Sequence, residues 1–166
     1  MKLIRVVKEN EAEALLDLVK QVEAESPYML HGAGERKTTV ESMRKMITTS
    51  AAGENSSILV AEEKGELAGY CLAMGGKANR IQHSAYIVIG ILEAHHGKGI
   101  GTAFFTTVEH WAKSQDLRRL ELTVTVENEA AIGLYKKAGF DVEGVKKDSL
   151  LIGGVFKDEY YMAKLL

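Results

Sequence analysis

A long segment rich in β-branched residues, Ile81–Leu92, leads into Gly97-Lys98-Gly99-Ile100-Gly101, and the residues beyond keep helical spacing. Ile100, Phe104, Val108 and Trp111 recur at i, i+4, i+8 and i+11, one face of a helix. A strand that feeds a glycine turn and then an amphipathic helix must let that helix pack back on its own sheet, so the chain is committed to mixed α/β architecture. The same junction presents backbone N–H groups and the positive end of a helix dipole. Gly97, Gly99 and Gly101 let that backbone approach an anion closely and reach positive φ where a nest requires it, and Lys98 adds charge. Pyrophosphate is the natural ligand of such a turn, although a tight turn with glycines kept for packing looks the same in sequence.

The rest of the chain fits around this unit. Lys2–Val7 reads as a first strand. Ala12, Leu15, Leu16, Val19 and Val22 mark a helix that stops before Pro27. Tyr28–Lys37 is a connection, and a second helix starts at Thr38 or Thr39 with Val40, Met43, Met46 and Ile47 as its apolar stripe. Ser57–Glu62 and Leu67–Met74 read as an antiparallel hairpin turned at Lys64-Gly65. Leu120–Val126 is a strand, Asn128 caps a helix that ends at Gly139, and Phe140–Val145 and Val155–Leu165 are strands joined through Gly153-Gly154. With 166 residues and no linker or repeat, one domain spanning residues 1–166 is expected.

Composition narrows the function classes. A formal net charge of -2 gives no basic patch for nucleic acid or an anionic membrane, so neither is expected as a partner. The lone Cys71 excludes an intramolecular disulfide and fits a reducing compartment. The N-terminal stretch lacks the apolar core of a signal peptide, and no run approaches the roughly 20 apolar residues of a membrane span, so a cytoplasmic location is expected. Glu93, His95 and His96 could suggest a metal, but adjacent histidines project apart and no third ligand stands at suitable spacing, so none is expected. Cys71 reads as a small buried hydrophobe, since no histidine partner can be argued for it.

Nucleotide-binding patterns fail on spacing. A Walker loop ends Gly-Lys-Ser/Thr, whereas Gly97-Lys98 is followed by Gly99; Gly32–Thr39 lacks the glycine before its lysine and follows no strand. A dinucleotide fingerprint needs Gly-x-Gly-x-x-Gly after a first strand, and here the spacing is Gly-x-Gly-x-Gly after the fourth. A different pattern fits. His96–Gly101 (HGKGIG) resembles the Arg/Gln-x-x-Gly-x-Gly/Ala loop of the GNAT superfamily of acyl-CoA-dependent N-acetyltransferases. Downstream, Asn128–Phe140 (NEAAIGLYKKAGF) is similar to that superfamily's Asn-x-x-Ala-x-x-Leu-Tyr-x-x-x-Gly-Phe segment at every signature position, and the remaining tail resembles its bacterial members. The likeness is specific over Ile81–Leu166 and weak before it. One position departs: His96 stands where Arg or Gln is usual.

The resemblance implies an α/β (α+β) fold, a single GNAT-like domain with a central mixed, mostly antiparallel sheet of about seven strands and about four flanking helices. It implies acetyl-CoA as co-substrate and no metal. The loop His96, Gly97, Lys98, Gly99, Ile100, Gly101 and Thr102 would hold the pyrophosphate. The backbone of Ile89, Ile91 and Leu92 would pair with the pantetheine arm, and Asn128 and Tyr135 would meet the cofactor from the second helix. An imidazole at position 96 can still donate one hydrogen bond, and protonation adds charge.

The implied chemistry is direct attack of a primary amine on the thioester through a tetrahedral intermediate. Backbone N–H groups around Ile89–Ile91 would polarise the carbonyl. Tyr135 is the family's usual proton donor to the departing sulfur, a phenol of pKa about 10 serving a thiolate whose thiol lies near 8.5–10. The base is open. No glutamate stands in the strand before the loop, and its titratable groups are His83 and Tyr86; regular alternation would put His83 on a face with Ala85 and Ile89, and Tyr86 on the other. His83 is the catalytic candidate, with Glu25, Tyr28, Glu93 or a water chain as alternatives. The acceptor, a small-molecule amine or a protein or peptide amine, would be lined by Ala24–Lys37 and Lys147–Gly154, the least motif-like parts of the chain. A homodimer is expected only by analogy with the family. The alternative to an enzyme is a non-catalytic acyl-CoA-binding module that keeps Tyr135 for packing.

Overall fold

Two-residue alternation along the strands and 3.6-residue spacing along the helices sort the apolar side chains to two faces of one sheet. The computed structural model describes residues 2–166. Its strands are β1 (Lys2–Val6), β2 (Ser57–Glu63), β3 (Glu66–Gly75), β4 (Ser84–Ile91), β5 (Arg119–Thr125), β6 (Asp141–Ile152) and β7 (Val155–Leu165). The helices are α1 (Ala12–Glu25), α2 (Val40–Ala52), α3 (Ile100–Ser114) and α4 (Glu129–Lys137). Strand order is β1-β2-β3-β4-β5-β7-β6, antiparallel throughout except between β4 and β5. This is the expected mixed, mostly antiparallel sheet flanked by helices.

On one face, Leu15, Val19, Val22 and Ile47 of α1 and α2 pack with Ile58, Val60 and Tyr70. On the other, Ile100, Phe104 and Val108 of α3 and Tyr135 of α4 pack with Cys71, Ile87, Leu120 and Leu122. The connection between α1 and α2 is fastened by Arg36, whose Nε donates to the buried Glu23 and whose Nη1 donates to Thr38 Oγ1 at 3.0 Å. Thr39 then caps α2, its Oγ1 accepting from Ser42 N–H at 3.1 Å while Thr39 N–H donates to Ser42 Oγ at 3.0 Å. Among the described residues, no helix is long and apolar enough to cross a membrane.

Two boundaries differ from the sequence reading. The fourth strand begins at Ser84 and not at Ile81, because Asn79–Ile81 forms a short 3-10 turn. The sixth extends from Asp141 to Ile152, well past Val145, because Gly153 and Gly154 both hold positive φ (58° and 78°) and permit a tight hairpin turn.

The β4–β5 pairing positions everything that follows. It consists of Ser84↔Arg119, Ala85↔Leu120 and Tyr86↔Glu121 only; beyond them the two strands part. β4 continues along β3 in register from Gly75↔Ala85 to Gly69↔Ile91. Gly90 makes that crossing possible: a Cβ there would lie 2.6 Å from the ring of Tyr70. On the outer side, Lys164 of β7 donates to Glu109 Oε2 of α3 (2.5 Å) and to the Ala138 carbonyl (2.8 Å), tying α3, β7 and the end of α4 together.

Gly90→Ala is expected to destabilise the fold by about 1–3 kcal/mol, the usual cost of overpacking. Urea denaturation should show a lower midpoint with an unchanged slope; an unchanged midpoint would mean that Tyr70 does not constrain β4. Lys113 and Lys164 together hold the Glu109 carboxyl below its ordinary 4.5. A depressed folded value contributes stability that is present above the unfolded pKa and lost as pH falls through the folded one. Glu109→Gln should therefore lower stability at pH 7 by up to about 1 kcal/mol, with the gap to the parent protein closing in acid. Thermal melts at several pH values would test this, and a gap that widened in acid would contradict it.

Candidate active site

The glycine segment performs two separate tasks. Gly97 and Gly99 sit at φ +71° and +79°, and a Cβ on either would meet nothing within 4 Å, so backbone conformation is what demands glycine there. Gly101 is a packing glycine, since a Cβ would lie 2.6 Å from Leu134 Cδ2 of α4. α3 starts behind Gly99 with no side-chain cap, and its first backbone bond runs from Ala103 N–H to the Gly99 carbonyl. Among the described residues, the N–H groups of Gly97, Lys98, Gly99, Ile100, Gly101 and Thr102 therefore have no protein acceptor. A run of free donors at a helix N-terminus fits a pyrophosphate. The loop is held from the side by Glu63 at the end of β2. Its Oε2 lies 2.6 Å from His95 Nδ1 and 3.5 Å from Lys98 Nζ, and these partners keep its carboxyl below the usual range.

The edge of β4 leads away from this loop. Leu92 N–H donates to Ala68 and Gly76 N–H to Ser84, so the even-numbered residues of β4 turn their polar backbone groups to β3. The odd-numbered ones turn theirs toward β5. Since β5 has already departed, the N–H groups of Ile89 and Ile91 face the gap unpaired. Tyr135 of α4 approaches from the α3–α4 face, packed edge-on to Phe105 at 5.6 Å between centroids. It is 8% exposed, and its hydroxyl has no hydrogen-bond partner among the described residues. Burial pushes its phenol pKa well above 10, and proximity to Cys71 and Tyr86 adds to the rise. Cys71 is the register partner of Ile89, which places Tyr135 against the middle of β4. Cys71 itself is fully buried and its thiol is pushed up to about 12, so it is inert at neutral pH.

On the opposite face of the sheet a cavity of about 230 Å³ lies over the paired start of β4 and β5 and ends at Tyr86, the last paired residue, lined among others by Met74, Ile81, His83, Tyr86, Arg119 and Glu121. Tyr86 spans the gap, its Oη 2.7 Å from Thr123 Oγ1 of β5. Arg119 Nε donates to Glu121 Oε2 at 2.6 Å, and the guanidinium also engages Glu143 of β6.

Several sequence expectations change here. His83 does not share a face with Ala85 and Ile89. It precedes β4 in a turn where its carbonyl accepts from both Arg118 N–H (2.8 Å) and Arg119 N–H (3.1 Å), and its ring lines the same cavity as Tyr86. Leu92 offers the gap no backbone group, because its N–H donates to Ala68 and its carbonyl accepts from His95 N–H. His96 turns back on the strand, Nε2 lying 2.8 Å from the Ile91 carbonyl, with only Nδ1 left for another partner. Asn128 caps α4, its Oδ1 accepting from Ala131 N–H at 3.2 Å, which leaves its amide nitrogen free. Glu25 is occupied structurally, accepting from Glu93 N–H at 2.8 Å. Among the described residues, no three His, Cys, Asp or Glu side chains gather as a metal site would. The Glu63 clamp and the Tyr86–Thr123 pair escaped the sequence reading, because contacts between distant strands leave no local signal.

The sequence pattern of the Acetyltransferase (GNAT) family matches residues 19–140. The chain belongs to the GNAT family. It is an acetyl-CoA-dependent N-acetyltransferase, and the free donors of the loop and the unpaired edge of β4 fit that co-substrate. The chain is 32% identical over 111 residues to an L-amino acid N-acetyltransferase of Escherichia coli (strain K12), covering 64% of this chain and 67% of that protein. It is 31% identical over 127 residues to the 5-NmdU N-acetyltransferase of Pseudomonas phage PaMx11, covering 75% and 86%. A Bacillus subtilis relative is 37% identical over 90 residues, and the match spans 57% of its length. The crystal structure of a GNAT-family acetyltransferase from Streptococcus pneumoniae superposes with a TM-score of 0.96 at 28% identity, covering 100% of this chain and 99% of that one.

In the glycine loop, His96 is the residue to vary. Lys98 already shares Glu63 with His95, and His96 is engaged with the strand end. His96→Arg places a permanent charge with several donors beside the loop and should tighten acetyl-CoA binding about three- to tenfold, roughly 1 kcal/mol. Calorimetric titration with acetyl-CoA measures this. Unchanged or weaker affinity would show that position 96 does not meet the pyrophosphate.

Proposed function

We propose that the protein transfers the acetyl group of acetyl-CoA to a primary amine by direct attack, with Tyr135 as general acid toward the departing thiolate. The observation that carries this reading is the conjunction of three features: unpaired N–H groups at Gly97–Thr102, unpaired N–H groups at Ile89 and Ile91 on the strand that leads into that loop, and the buried, partnerless hydroxyl of Tyr135. The loop would hold the pyrophosphate and the β4 edge the pantetheine arm, which directs the thioester toward Ile87 and Tyr86. Ile89 N–H is a preorganised donor for the carbonyl oxygen as negative charge develops on it. Burial keeps Tyr135 protonated across the physiological range but makes it a weaker acid than a free phenol, so transfer to the thiolate runs against the pKa difference and relies on the hydroxyl's placement beside the departing sulfur.

The amine enters from the other face, through the cavity bordered by Tyr86, Glu121 and His83. An alkylammonium has to lose one proton before its lone pair can attack. The exposed ring of His83 receives that proton and passes it to solvent. The relatives are named for different acceptors, an L-amino acid in one, 5-NmdU in another and spermidine in a third that is 33% identical over 104 residues. That spread supports an amine acceptor as the class.

Tyr135→Phe should lower kcat roughly 100-fold, the scale of a lost general acid, while leaving the dissociation constant for acetyl-CoA within about twofold. Thiol release followed with a chromogenic disulfide, together with calorimetry, separates the two effects. Undiminished turnover would remove Tyr135 from the mechanism.

A further inference from the structure

The last paired residue of β4 is Tyr86, and the structure gives its hydroxyl a single partner, Thr123 Oγ1 at 2.7 Å. Thr123 lies two positions beyond Glu121, the last residue of β5 paired with β4, so this hydrogen bond reaches across the gap after the backbone ladder has ended. Tyr86 is half-buried and lines the cavity on the α1–α2 face, while Tyr135 stands on the α3–α4 face, close enough for the two phenols to influence each other electrostatically. Two phenols therefore flank the gap from opposite sides. One is partnerless and deeply buried; the other is oriented by a threonine and borders an open cavity that also contains His83 and Glu121.

We propose that Tyr86 positions the attacking amine, a role that rests on the acetyl-transfer reading above. The Tyr86 O–H donates to Thr123 Oγ1, which turns an Oη lone pair toward the cavity, and the incoming amine donates one N–H to that oxygen. The nitrogen lone pair is thereby aimed across the gap toward the side on which Tyr135 waits. No bond to Tyr86 forms or breaks and its proton stays in place: the ammonium gives its first proton to solvent through His83, the N–C bond forms, the C–S bond breaks as the thiolate takes the Tyr135 proton, and the second proton lost by the nitrogen passes to solvent, from which Tyr135 regains its own. Thr123 acts through Tyr86 and fixes the direction of its hydroxyl. The arrangement selects an acceptor with at least two N–H bonds, a primary amine: one remains hydrogen-bonded to Tyr86 while another is lost.

The test compares the parent protein with Tyr86→Phe, Thr123→Val and Thr123→Ser. The acceptor panel contains spermidine, L-methionine, L-phenylalanine and an alanine-terminated peptide, with thiol release as the readout. Tyr86→Phe keeps the ring in the sheet, so thermal stability and calorimetric acetyl-CoA affinity should hold, while the acceptor KM rises about tenfold, the loss of one well-oriented hydrogen bond. Thr123→Val should reproduce part of that rise and Thr123→Ser should restore the parent value. The double variant Tyr86→Phe/Thr123→Val should be no worse than Tyr86→Phe, because the pair acts as one unit. Acceptor KM within twofold of the parent in Tyr86→Phe overturns this proposal and leaves the acetyl-transfer reading standing, as does a loss of stability without a change in KM. A parent protein that binds acetyl-CoA but releases no thiol with any of these amines overturns both.

Discussion

Everything functional in this fold depends on a ladder that stops. β4 and β5 hold each other only at Ser84–Tyr86 and Arg119–Glu121. Had they stayed paired to their ends, Ile89 and Ile91 would have spent their N–H groups on a neighbouring strand, and no edge would remain for an extended ligand arm. Parting the strands leaves hydrogen-bonding groups unmet, a cost the rest of the sheet has to offset. The offset comes from β4's unbroken antiparallel register with β3 and from β5's own pairing with β7 along Arg119–Thr125. Each strand is secured on its far side by its own ladder.

The glycine loop before α3 is built with few side chains. Two of its glycines answer to backbone conformation and one to helix packing, although in sequence the three look equivalent. Its side-chain charges are modest: Lys98 and His95 share one carboxylate and His96 faces a carbonyl. The anion site is built chiefly from main-chain N–H groups. Main-chain donors of this kind can meet an anion in a chain whose net charge is -2.

How much of this was legible in the sequence follows from the range of each interaction. Helices, hairpins and the glycine junction were readable because periodicity and turn chemistry act within a few residues. The Gly-x-Gly loop and the Asn128–Phe140 segment named the family because each is contiguous. His83 was placed on the wrong face because alternation was extended through residues that turn out to form a 3-10 turn and a bend. Nothing local announces that Glu63 will meet His95 and Lys98, or that Thr123 will meet Tyr86, since these pairs come from distant segments brought together by strand order. The acceptor side is built almost wholly of such contacts.

That asymmetry has a physical basis. One co-substrate is common to the family, and its phosphate and amide groups can be met by backbone, so its site is written as a compact glycine-bearing motif. On the proposed reading, the acceptor meets side chains from separate strands and the loops between them. Burial divides the two phenols in the same way. Tyr135 sits in a hydrophobic cluster with Phe105 and Phe140, where desolvation keeps its proton in place. Tyr86 lines an open cavity on the other face, its hydroxyl against Thr123 Oγ1.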